Sequence, residues 1–241
     1  MTPDTIQKLN SLNIRMYRNA SQDFSDSRSE PWDGWVLMLE EFKKLKFQPL
    51  HVLDVACGNA RFYDFLRSKF KVDYRGMDTS EELLSIAALR NPDLKLFKHD
   101  ILEYPWPVGH FDLVAAFGIT HHLPGISTRQ VFFSELSKHI DLQGYTIFTT
   151  WNFKDQPWLI RRQHSWAEIG LSPEDVDQGD FLLDWKGDPR LLRYAHAYTQ
   201  DEVRQLCTNA GLEIVSIYTA DGRNGNGNTY YIARKIERVF D

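Results

Sequence analysis

Cysteine is scarce in this chain and long apolar runs are missing. Cys57 and Cys207 are the only cysteines among 241 residues. They show no metal-ligand spacing, which argues against a disulfide framework and fits a reducing cytoplasm. No apolar run approaches the roughly 20 residues of a membrane span, and the first residues lack a signal-peptide core, so no membrane partner is expected. A positive balance is lacking too. The formal net charge is −5, so nothing global draws the chain to nucleic acid, and a basic face for RNA has to be local or supplied by a partner. No internal repeat or low-complexity tract interrupts the sequence. What is present is an ordinary globular composition, 42% hydrophobic and 25% charged, enough for one sizeable core with appendages. Seven tryptophans and fifteen phenylalanines foretell an aromatic-rich core or pocket.

The pattern is organised around His51 to Ala60. Leu50 to Ala56 is an apolar run broken only by His51 and Asp54; small residues follow, and then the helical spacing of Phe62, Phe65 and Leu66 begins. Strand 50–56, helix 60–69, strand 72–78 and helix 80–90 alternate, which implies a parallel sheet. Further strands are expected at 94–98, 111–117 and 145–150, with a helix at about 127–139. Thr199 and Glu202 form a capping box for a helix at 199–210 that Gly211 ends. Two last strands, 212–218 and 229–235, are joined by the glycine-rich loop 221–227 and make a terminal hairpin. The fold class is therefore α/β, a Rossmann-like sheet of seven strands with the last one antiparallel. Two amphipathic helices, 2–20 and 32–45, flank a polar stretch, and residues 1–49 read as an N-terminal cap on a domain spanning 50–241. Residues 151–198 fit no simple strand or helix series and read as an insertion over the carboxyl edge of the fifth strand, where substrate is recognised.

A strand running into a tight turn and a helix N-terminus makes a ligand site at the carboxyl edge of such a sheet. A dinucleotide site would need three glycines, but that register reads Gly58-Asn59-Ala60-Arg61-Phe62-Tyr63, so pyrophosphate and NAD-linked chemistry are disfavoured. Asp54-x-x-Cys57-Gly58-x-Ala60 instead resembles motif I of the class I S-adenosylmethionine (SAM) methyltransferases, with Cys57 a small packed residue of the turn. Asp78 stands twenty residues beyond Gly58 and is either a ribose ligand or a helix cap before Ser80. Asp100 and Ile101 follow the third strand, at the position that faces adenine in those enzymes. Phe111-Asp112-Leu113-Val114, continuing to Phe117-Gly118-Ile119-Thr120-His121-His122, resembles their motif IV. Neighbouring histidines with no acidic or cysteine cluster make no metal site; one packed and one solvated ring, or a catalytic base, are the alternatives. The resemblance implies SAM as cofactor, S-adenosylhomocysteine as product, and a binding set of Tyr17, Arg28, Trp32, Asp54, Ala56, Gly58, Asp78, Thr79, Asp100, Ile101, Phe117, Gly118 and His122.

Several segments carry a narrower likeness. Ser25-Asp26-Ser27-Arg28 with Pro31-Trp32, Ile119 to Leu123 with Thr128-Arg129, Thr150-Trp151, Arg193-Tyr194-Ala195-His196 and Asn228-Thr229-Tyr230-Tyr231 resemble, in the same order, segments of the tRNA wobble-uridine carboxymethyl methyltransferases. That is the group of the yeast Trm-nine enzymes and the methyltransferase domain of AlkB-like protein eight. The resemblance implies methylation of the carboxylate of 5-carboxymethyluridine in tRNA. It implies catalytic roles for Arg28, Arg193, His196 and His121, with Tyr17 and Trp32 closing over SAM. Trp151, Arg193, Tyr194, Asn228 and Tyr230 would bind substrate, and a small activator subunit would be a further partner. A carboxylate is already an anion at pH 7, so alignment rather than a general base would supply rate. The other readings are a small-molecule O- or N-methyltransferase with an aromatic pocket, and a non-catalytic SAM-fold partner protein.

Overall fold

The computed structural model describes residues 1–26, 30–42, 49–153 and 157–236. Seven strands form one sheet: β1 (Leu50–Val55), β2 (Val72–Asp78), β3 (Lys95–Lys98), β4 (Phe111–Ala116), β5 (Ile140–Trp151), β8 (Leu212–Ala220) and β9 (Asn228–Lys235). Across the sheet they lie in the order β3-β2-β1-β4-β5-β9-β8. β1 pairs parallel with β2 and β4, and β4 with β5. β9 enters between β5 and β8 and is antiparallel to both, the topology expected from the terminal hairpin. β1 is central because every residue except His51 is buried, as an apolar strand covered on both faces requires. β5 starts earlier than the apolar pattern indicates. Gly144 lets it bulge against β4, since a side chain there would collide with the carbonyls of Phe111 and Asp112.

Helices cover both faces. α6 (Ile126–His139) and α8 (Gln200–Asn209) pack Phe132, Phe133, Leu136, Val203 and Leu206 on one side. α3 (Asp33–Phe42) and α4 (Arg61–Arg67) pack Trp35, Met38, Phe42, Phe62 and Leu66 on the other. Each such side chain contributes about 1.5–3 kcal/mol on burial. α5 (Glu81–Arg90) follows β2, its N-cap Ser80 accepting the amide of Leu83. The expected first helix is α1 (Pro3–Asn19), started by the Thr2 cap, and the short α2 (Ser21–Asp26) forms in the polar stretch that follows it. Residues 43–45 of the expected second helix lie outside the described residues. Among the described residues no helix is long and apolar enough to cross a membrane.

The stretch 151–198 is more ordered than its sequence suggests. After α7 (Pro157–Ile160), β6 (Asp180–Trp185) and β7 (Asp188–His196) form an antiparallel hairpin separate from the main sheet. Its two faces differ by alternation. Phe181, Leu183 and Ala195 pack with Trp151, Phe153 and Leu159, whereas Leu182 and Tyr194 pack with Leu9 of α1 and Trp166. Among the described residues β7 has no strand on its outer edge at Tyr194. There Asn13 Oδ1 of α1 accepts the Tyr194 amide at 2.8 Å, and His122 donates to the Tyr194 carbonyl at 2.7 Å. The hairpin is thus fastened to the N-terminal cap and to the loop after β4.

Candidate functional site

The carboxyl ends of β1, β2 and β4 open into a solvent-connected cleft. Its floor is the turn after β1. Ala56, Gly58 and Ala60 all adopt left-handed backbone there, with φ of 58°, 54° and 55°, so a conformation suited to glycine is imposed on two alanines. The turn exposes Ala56, Cys57, Gly58 and Asn59 to the cleft, with Asp54 beneath. Cys57 is packed, as expected, and its thiol is pushed well up, first by burial and then by the charges of Asp54 and Asp78; it is no nucleophile at neutral pH.

Two buried carboxylates define the electrostatics. Asp78 accepts the Gly58 amide through one oxygen and the Ser80 amide through the other, each at 2.8 Å. The helix cap is Ser80, not Asp78, whose carboxylate instead ties the turn after β1 to the end of β2. Burial raises its pKa against those backbone bonds, and each oxygen keeps a second lone pair for a ligand hydroxyl. Asp54 accepts the Tyr74 hydroxyl at 2.5 Å, and burial lifts it to about 7, with the nearby charge of Asp78 adding to the rise. A diol fits Asp78, and a cation fits the pair; a pyrophosphate would face two acids and no glycine-rich amide nest. The donor set suits SAM, whose sulfonium and ammonium are positive.

Aromatic walls enclose the rest. Trp32 and Trp35 come from α3 and its N-terminal edge, Tyr17 and Phe24 from α1 and α2, Phe62 from α4, Phe117 from the end of β4 and Trp151 from the end of β5. Thr79, Leu83, Ile101, Gly118, Ile119 and Arg61 complete the lining. Both histidines are buried, contrary to the expectation of one solvated ring. His122, not His121, lines the cleft. Because its Nδ1 faces the Tyr194 carbonyl, that nitrogen donates, and Nε2 is left to accept the Tyr17 hydroxyl at 2.8 Å. Burial, then the charge of Arg193, pushes its pKa down to about 3, so the ring is neutral. His121 stacks on the far side of this wall against Trp151, with centroids 3.7 Å apart.

Other expected site residues lie elsewhere. Arg28 is outside the described residues. Asp100 is absent from the cleft lining, because Asn10 of α1 and the Leu102 amide hold its two oxygens. Arg193 is buried with its guanidinium 4.6 Å from the Trp151 ring and 5.0 Å from Trp185, one ring behind the cleft. Tyr194 and His196 point to the opposite hairpin face. Tyr194 donates to Asp180, and His196 sits between Asp180 at 2.6 Å and Glu202 at 3.0 Å. His196 therefore belongs to a buried ion network with Arg129, not to the cleft. Glu202 serves that network instead of closing the expected capping box; only the Thr199 half of the box forms. Asn228 and Tyr230 both bond Asp221. Sequence reasoning missed Phe24, Trp35, Asn59, Arg61, Phe62, Leu83 and Ile119. Arg61 and Phe62 directly follow the motif and were the most legible of these.

Comparison with known proteins agrees with this geometry. Residues 52–144 match the family described as "Methyltransferase domain". A protein of Encephalitozoon cuniculi named "Putative methyltransferase ECU09_1500" is 27% identical over 202 residues, 83% of this chain and 87% of its own length. The tRNA (carboxymethyluridine(34)-5-O)-methyltransferase of Arabidopsis thaliana is 23% identical over 137 residues, 57% of this chain but 32% of that protein. Among solved structures, the DhpI–SAH complex superposes with a TM-score of 0.67 at 16% identity, covering 96% of this chain and 99% of that one. The match to a methyltransferase domain covers β1 to the middle of β5, and the chain shares the α/β fold of these solved methyltransferases.

Proposed function

We propose that this SAM-dependent methyltransferase transfers its methyl group to a carboxylate, and that the carboxylate belongs to 5-carboxymethyluridine at the wobble position of tRNA. When bound, SAM supplies an electrophilic methyl on a positive sulfur. Asp78 would take the ribose hydroxyls, the Ile101 side of the cleft would take adenine, and Asp54 would face the positive portion beside Gly58. Trp32, Phe117 and Gly118 would close around the methyl-bearing end and exclude water.

The observation that carries the reading is His122. At the β4–β5 end of the cleft both of its ring nitrogens are engaged, by the Tyr17 hydroxyl and the Tyr194 carbonyl, and burial with the Arg193 charge disfavours its protonation, so it is ill-suited to take a proton from a neutral hydroxyl or ammonium. The two acids stand at the other end. An acceptor that arrives already deprotonated needs no base, and a carboxylate meets that condition. The buried Arg193 cation behind Trp151 favours the same charge. A carboxylate oxygen would take the methyl from the sulfonium as a methyl ester, leaving S-adenosylhomocysteine and releasing no proton, so no cleft residue would have to act as a base. The nucleic-acid part rests on the five ordered segments and on the Arabidopsis relative. It is supported by exposed Trp158, with Arg162 5.0 Å from its ring. The rings of Trp151, Phe153 and Phe181 along the hairpin favour a second reading, a small apolar carboxylic acid.

Labelled methyl transfer separates the two. Base-labile label in tRNA carrying unmethylated 5-carboxymethyluridine supports the first reading. Base-labile label confined to a protein-free metabolite extract overturns the RNA part, and base-stable label in either pool overturns the carboxylate.

A further inference from the structure

Helix α3 begins at Asp33, which puts Trp32 at the N-cap position, and an indole offers no acceptor to the first-turn amides. The acceptor comes from far along the chain. Asp221, in the turn between β8 and β9, accepts the Gly34 amide through Oδ1 at 3.1 Å. Its Oδ2 accepts Asn228 Nδ2 at 2.8 Å and the Tyr230 hydroxyl at 2.5 Å. The Gly34 carbonyl in turn accepts the Tyr218 hydroxyl at 2.9 Å. A side chain at position 34 would overlap the Tyr230 ring, so that ring lies directly on the helix backbone. Asp221 itself is held at φ 64°, a left-handed conformation unusual outside glycine that persists where surroundings over-determine it. The negative charge also complements the positive end of the helix.

The residue that precedes this anchored turn is the one that enters the cleft. The Trp32 ring lies 6.0 Å from Phe117 and 6.5 Å from Tyr230 between centroids, and a Cβ at Gly118 would stand 3.3 Å from its edge. We propose that Asp221 is a positioning residue for the cofactor: with Asn228 and Tyr230 it bolts down the start of α3, and so fixes where Trp32 closes the cleft. The proposal rests on the cleft binding SAM. It gives Asn228 and Tyr230 an indirect role in place of the substrate contacts expected from their sequence segment.

A double-mutant cycle tests it, read by calorimetric titration of SAM into the whole protein. Asp221→Ala is expected to weaken SAM binding about tenfold, the loss typical when a charged acceptor leaves its donors unmade. Asp221→Asn, which keeps an acceptor for Gly34, restores most of it. Tyr230→Phe weakens binding less, in the same direction. In a Trp32→Ala background, Asp221→Ala and Tyr230→Phe add nothing, because the residue they position is gone. Additive losses in the double variants, or wild-type affinity in Asp221→Ala, overturn the proposal. Should Asp221→Ala fail to fold, the Tyr230→Phe and Trp32→Ala cycle decides alone, since that change removes one oxygen and keeps the ring. A wild-type protein that binds no SAM overturns the cofactor reading instead, a result distinct from an unaltered variant.

Discussion

Replacing Asp54 by asparagine keeps the shape of the side chain and its acceptor for the Tyr74 hydroxyl, and removes only the charge. Asp54 is buried, and burial lifts its pKa from 3.8 to about 7, with Asp78 adding to the rise. The folded pKa lies above the unfolded one, so the folded state holds the proton more tightly. Stability contributed by this group is full below pH 3.8 and falls as pH rises to about 7. One unit of difference is worth about 1.4 kcal/mol, so the loss over the whole window is about 4 kcal/mol and the part between pH 5 and pH 8 about 3 kcal/mol. The asparagine amide does not titrate. Urea unfolding of both proteins across pH 5–8 should therefore show the wild type losing about 3 kcal/mol relative to the variant. Two stability curves that run parallel would refute the argument, because Asp54 would then be ionised in the fold at its ordinary pKa. The same reasoning ties the group to its ligand. A bound sulfonium and ammonium favour the carboxylate, so saturating SAM should flatten the difference, and SAM binding near neutral pH should release protons.

Asp78→Ala should weaken SAM binding at least tenfold, since the Gly58 and Ser80 amides lose their acceptor along with the ribose hydroxyls; calorimetry showing wild-type affinity would remove the ribose assignment. Ala60→Gly should leave stability unchanged or raise it by up to about 1 kcal/mol, because relief of left-handed strain of about 1–2 kcal/mol is offset by the added freedom of the unfolded chain. A clear fall in Tm would show that Ala60 is unstrained. Arg193→Met should leave the KM for SAM near wild type and lower kcat at least tenfold, the pattern of an interaction realised in the transition state. It should also raise the pKa of His122 in NMR titration, because one of the two causes of its depression is gone. Unchanged turnover would detach Arg193 from the acceptor.

The sheet was legible because β1 and β4 are near-continuous apolar runs, the other strands are rich in apolar and β-branched residues, and strands alternate with helical spacing. That pattern also located the turn after β1 and therefore Asp54, Gly58 and Asp78. The β6–β7 hairpin was not legible, and the reason is chemical. Its strands carry Asp180, Asp184, Asp188, Arg190 and Arg193, charges that break an apolar run and read as surface. Several are satisfied only once the strands pair and the turn forms: Asp180 by Tyr194 and His196 of β7, Asp184 by His164 and the Gly187 amide. Glu202 shows the same competition at one residue. Its spacing from Thr199 promises a reciprocal cap, but Arg129 and His196 are charged or chargeable partners, stronger than a backbone amide, and they draw the carboxylate away. Local rules fail in the segment Arg193-Tyr194-Ala195-His196 for a further reason. Arg193, Tyr194 and His196 were expected in one site, yet in a strand successive side chains leave on opposite faces. Arg193 goes to the tryptophans behind the cleft, and Tyr194 and His196 go to the ion network under α1. The main-chain carbonyl of Tyr194 still reaches His122, so this segment can act on the cleft through its backbone as well as through Arg193. The ion network then has a functional consequence of its own. By fixing β7 it fixes the acceptor that sets the His122 tautomer, and with it the β4–β5 wall of the cleft.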